Sequence, residues 1–98
     1  MNERTFTSDI SRFGNIIRPD NIIINPNSVT FKKRNKNLFN FDEKTIRINN
    51  IASVEVNASI LGTSIIIKSY GGDEIIGRKF NITDAKEIKK LIDNYQSK

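Results

Sequence analysis

The sequence predicts a mainly β domain of six or seven short antiparallel strands, forming a barrel or sandwich capped by one C-terminal α-helix. Three observations carry this reading. From Asn21 onward, apolar residues alternate with polar ones, as in Val29/Phe31, Ile46/Ile48 and Val54/Val56. Gly71-Gly72-Asp73 separates the β-rich runs Thr63–Tyr70 and Glu74–Phe80, the signature of a hairpin. The period then changes, and Ala85, Ile88, Leu91, Ile92 and Tyr95 fall on one helical stripe.

Residues 1–20 show no firm period and read as an N-terminal arm ahead of a domain over 21–98. Phe6, Ile10, Phe13 and Ile17 have the spacing of one face of a short helix. Ser8 or Asp9 would cap it, and Gly14 or Pro19 would end it. An arm packed on the body or on a neighbouring subunit and a frayed tail are the other readings. Ile22-Ile23-Ile24 is a β-branched strand closed by the turn Asn25-Pro26-Asn27-Ser28. Val29 and Phe31 then face inward. Lys33-Arg34-Asn35-Lys36-Asn37 reads as a loop or hairpin tip, and Phe39 and Phe41 share the next buried face. Asp42-Glu43-Lys44 is predicted to turn the chain into Thr45–Ile48, and Asn49-Asn50 to punctuate it again. Gly77, inside the last strand, predicts a bulge or a sharp coil. Asp84, or alternatively Thr83, is the expected helix cap, with Glu87 at capping-box spacing from Asp84.

The 98 residues allow one domain, which buries roughly 63–65% of its unfolded surface. The chain has no cysteine and no histidine. That removes disulfides, Cys/His zinc sites, thiol nucleophiles, Ser-His-Asp triads and histidine proton shuttles. Sixteen basic against eleven acidic residues leave a net charge of +5, which favours phosphate-bearing partners or serves solubility. No run approaches the about 20 apolar residues of a membrane span. With the cysteine-free composition and no apolar run near Met1, the expected location is cytoplasmic.

The densest charge cluster is Lys32-Lys33-Arg34-Asn35-Lys36. On a hairpin tip its four cations would meet phosphates as a group; the alternative is a solvated turn. At about 1 kcal/mol per cation near an anionic membrane, four supply about 4 kcal/mol, only millimolar affinity. A shaped pocket or several copies acting together would have to add the rest. Arg78-Lys79 is a second basic pair, but strand alternation would point its side chains to opposite faces. Asp42-Glu43 and Asp73-Glu74 are adjacent acids at predicted turns, where they point apart into water. No catalytic residue, metal ligand or cofactor site is predicted. Phe31, Phe39, Phe41 and Phe80 read as core and not as base-stacking platforms, and Tyr70 is the expected exposed ring.

Several stretches resemble the bacterial pleckstrin-homology-like domains. They are Ile22-Ile23-Ile24…Ser28-Val29-Thr30-Phe31, Ile51-Ala52-Ser53-Val54-Glu55-Val56, Gly62-Thr63-Ser64-Ile65-Ile66-Ile67-Lys68, Gly72-Asp73-Glu74-Ile75-Ile76 and the helix from Asp84. The similarity runs from about Asn21 to Tyr95 and rests on core and turn positions, which speak to fold. An oligonucleotide-binding barrel is the structural rival, but it usually carries its helix between strands three and four. The resemblance implies a non-catalytic binding or assembly module, holding a protein partner or a second copy of itself, with a homo-oligomer favoured. Phe6, Ile10, Phe13 and Ile17 are then the assembly contact. Lys32, Lys33, Arg34, Lys36, Arg78 and Lys79 are the anion or headgroup site, through which the domain would touch an anionic membrane peripherally. The alternative is a small basic β-barrel that binds nucleic acid through the same cations.

Overall fold

The computed structural model describes residues 3–8, 20–34, 41–60 and 62–97, with residues 34 and 41 described by backbone. The predicted Ile10, Phe13, Ile17, Lys36 and Phe39 roles fall outside these residues. The described strands are β1 (Arg4–Thr7), β2 (Asn21–Ile24), β3 (Ser28–Arg34), β4 (Phe41–Arg47), β5 (Ile51–Ser59), β6 (Gly62–Ser69) and β7 (Glu74–Phe80). A 3-10 turn at Ile48–Asn50 separates β4 from β5, and helix α1 (Ile82–Gln96) follows β7. The strands form two antiparallel sheets, β1-β2-β3-β4 and β5-β6-β7. The mainly β fold with a terminal helix is as the sequence predicts. Among the described residues, no ladder joins β4 to β7, so the strands do not close into a barrel.

Period-two alternation builds the core. In the four-stranded sheet, the register lines up Phe6, Ile22 and Phe31 in one row and Ile24, Val29 and Ile46 in the next, all buried. Ile65, Ile67 and Ile75 form the opposing layer, with Val54 and Val56 packed against it. Gly77 lies where the two layers approach each other closely. A Cβ there would stand 2.8 Å from Phe80 Cε2 and 3.1 Å from both Ile22 Cδ1 and Ile65 Cγ2. The inward-facing position is therefore filled by its neighbours. The bulge predicted near Gly77 comes just after it: Ile65 pairs with Gly77 and Thr63 with Phe80, which leaves one extra residue on β7.

The helix covers this core with Ala85, Ile88 and Ile92 buried and Leu91 and Tyr95 partly so, matching the predicted stripe. Its cap is Asn81, not Asp84 or Thr83. The Asn81 side chain accepts from the Asp84 N–H at 2.7 Å and donates to the Asp84 carboxylate at 3.1 Å. The capping pair thus sits three residues earlier than the Asp84/Glu87 box. At the far end, Gln96 Nε2 donates to the Ile51 and Ile48 carbonyls at 2.8 and 3.1 Å, tying the helix to the 3-10 turn.

Two further expectations are corrected. Phe6 belongs to strand β1 and not to a helical face; opposite Ile22, it is 4% exposed. The Arg4 guanidinium lies 4.9 Å from its ring centroid and pairs with Glu87 at 2.9 Å, so β1 is fastened to α1. As an assembly contact Phe6 is therefore spent inside its own chain. Asp42-Glu43-Lys44 does not turn the chain but lies within β4. Its residues stand opposite Lys33, Lys32 and Phe31. Opposite charges facing each other across the strands favour the pairing against the poor strand propensity of Asp and Glu.

Candidate binding cleft

The predicted basic tip is mostly strand. Lys32, Lys33 and Arg34 lie on β3. Lys33 follows Val29 and Phe31 on the inward-facing side, whereas Lys32, half-buried, takes the other side opposite Glu43. Lys32 and Lys33, neighbours on a strand, therefore diverge; the Arg34 side chain and Lys36 lie outside the described residues. Arg78 and Lys79 depart from expectation in the other direction. The β7 bulge breaks the alternation, leaves both residues exposed and holds Lys79 at φ 63°.

Arg78 and Lys33 nevertheless meet. They line a cleft of about 440 Å³ with Phe31, Asp42, Glu43, Lys44, Glu74, Ile75 and Ile76. Phe31 and Ile75 are buried and supply an apolar floor, while Ile76 is 38% exposed. The lining carries three cations and three carboxylates, so its formal charge is zero. A phosphate or headgroup is therefore less well matched here than the isolated basic runs imply.

The cleft is bordered by the free edges of the two sheets, since β4 and β7 are both outermost strands. Lys44 Nζ donates to the Glu74 carbonyl at 3.1 Å. In an antiparallel strand the N–H and C=O of one residue point to the same edge, and this direction repeats every second residue. The Lys44 bond therefore marks Glu74 and Ile76 as residues whose backbone groups face the cleft and not β6. Such an edge is a template for another strand.

Among the described residues, every buried side-chain nitrogen and oxygen has a partner, and no three acidic side chains are grouped as a metal site requires. No described helix is long and apolar enough to cross a membrane. No protein-family model matches the chain, and no curated protein matches it.

Of the cleft residues, only Lys33 and Arg78 were predicted to bind. Lys44, Asp42, Glu43 and Glu74 carry no local signal for it, because the site exists only where two strands distant in sequence fail to pair. Ile60-Leu61, between Ser59 and Gly62, is a further local departure in the sequence, two large aliphatic residues where a tight hairpin favours Asn or Gly.

Proposed function

We propose that the chain is a non-catalytic binding and assembly module of the bacterial pleckstrin-homology-like type, which holds an extended protein segment in the cleft between β4 and β7. The family reading is supported by the element order, four strands in one sheet, three in the next, then a C-terminal helix. The observation that carries the binding reading is the pair of free strand edges flanking an apolar floor. Backbone hydrogen bonds along an edge supply affinity that is indifferent to sequence, and alternate side-chain pockets supply selectivity. Mixed charge on the rim suits a polypeptide carrying both signs. The same balance is why this reading is preferred to a nucleic-acid site, which needs a continuous basic surface. A second copy of the chain offers the same kind of strand, so self-association belongs to this reading.

The test uses random peptides displayed on phage and selected on the full chain, with amide chemical shifts mapping the site. Peptides that shift β4 and β7 amides support the proposal. Ile76→Pro removes a cleft-facing N–H without breaking the β6 ladder, and should weaken those peptides by about tenfold, one edge hydrogen bond's worth. Peptides that bind elsewhere, or equally well to Ile76→Pro, would sink the reading.

A further inference from the structure

We propose that the β5–β6 turn, with Ile60 at its tip, is a contact point for an anionic lipid bilayer, separate from the cleft and not dependent on it. Ser59 pairs with Gly62, so two residues, Ile60 and Leu61, join these strands; the second lies outside the described residues. Ile60 is fully exposed, at 104% of its reference area. The turn itself is held by Ser59 Oγ donating to the Gly62 carbonyl at 2.8 Å and needs nothing from the Ile60 side chain. Two-residue hairpins favour Asn, Asp and Gly. A large β-branched residue at this position opposes the local rule and buries nothing in return, a pattern expected where function overrides folding.

The topology brings an excess of positive charge to the same end of the sheet. The bulge in β7 places Lys79 beside the turn; its Cα would lie 3.2 Å from a Cβ on Gly62. Thr63 pairs with Phe80, so α1 also starts at this end, with Ile82 40% exposed and Lys86 exposed one turn on. Of the acids nearby, Glu87 is paired with Arg4, while Asp84, held in the Asn81 cap, keeps its charge against the two lysines. The end therefore presents aliphatic tips flanked by lysines, which fits the interface of an anionic bilayer, where apolar groups enter the acyl boundary and lysines stay with the headgroups. A single protruding tip offers far less than the about 800 Å² per partner of a stable protein interface. Lipid accepts it because no matching socket is required.

Co-sedimentation of the full chain with phosphatidylserine-rich and pure phosphatidylcholine vesicles, at low and high salt, tests the proposal. Wild type should sediment with the anionic vesicles and be released by salt. Ile60→Asn, which suits the turn better and should fold, is expected to bind at least about tenfold more weakly. Ile60→Leu should keep binding, and Lys79→Gln should lose about fivefold. Ile76→Pro, in the cleft, should bind vesicles like wild type. No sedimentation of wild type, or undiminished binding by a folded Ile60→Asn, overturns the proposal. So does a vesicle-free dimer in sedimentation velocity that Ile60→Asn dissolves, which would assign the tip to a second copy.

Discussion

The β6–β7 connection passes through Tyr70, Gly71, Gly72 and Asp73. Gly72 there takes φ +96°, a conformation that side-chain-bearing residues rarely adopt. Ser69 Oγ accepts from the Asp73 N–H at 2.9 Å, and the Ser69 N–H donates to the Asp73 carbonyl at 2.8 Å. Ser69, Gly72 and Asp73 do what the turn demands, although the Tyr70 ring there is itself 76% exposed. The β5–β6 connection, one strand away in the same sheet, sets a fully exposed Ile60 where a turn-forming residue would serve folding better. The first turn's backbone is explained by its residues and the second's is not, and both hang on strand β6. The difference shows how to look for function in a small domain without catalytic chemistry: find where the chain departs from its own structural logic.

The largest effect comes from damaging the support that both turns share. Gly77→Val forces side-chain atoms against Phe80, Ile22 and Ile65, and should cost about 3 kcal/mol in urea unfolding. Protection from amide exchange should fall in both hairpins together; loss in only one would mean the turns are independent. Gly72→Val comes next at about 2 kcal/mol, because space is open around Gly72 and only its backbone conformation resists. Ser69→Ala leaves the Asp73 N–H without its acceptor and should cost about 1 kcal/mol, confined to the β6–β7 turn. Ile60→Asn is the smallest effect and has the opposite sign, a gain of about 0.5 kcal/mol from better turn chemistry. A fall in thermal midpoint with Ile60→Asn would show that Ile60 serves folding after all, and the contrast between the two turns would vanish.

The elements legible in sequence are those whose signal is local. Gly71-Gly72-Asp73 specifies its turn within a few residues, and the Ala85–Tyr95 stripe repeats within a few helical turns, so both appear where expected. Asp42-Glu43-Lys44 misleads because its residues favour turns by themselves, and only the facing Lys32 and Lys33 reconcile them to a strand. Asn81 is masked as a cap in the sequence because Thr83 and Asp84 offer the same chemistry two and three residues later. Part of the candidate cleft could be named in advance, Lys33 and Arg78, but on a charge argument that the structure weakens. The carboxylates interleaved with them in space come from other strands.

By itself the sequence determined the chemistry the protein lacks and the faces its strands bury. A chain without cysteine or histidine has no thiol or imidazole wherever it folds, and period-two alternation sends Ile22, Ile24, Val29 and Phe31 to a core in whatever sheet receives them. Tertiary structure alone decided which strands stay unpaired, and so where a partner strand can enter. It also decided that Arg78, on the same face as Glu74 and Ile76, lines the cleft while the β7 bulge sets Lys79 beside the β5–β6 turn. The physical reason is range. Side-chain direction follows from the backbone of one strand, whereas an open edge is a relation between two strands whose neighbours in the chain do not encode it.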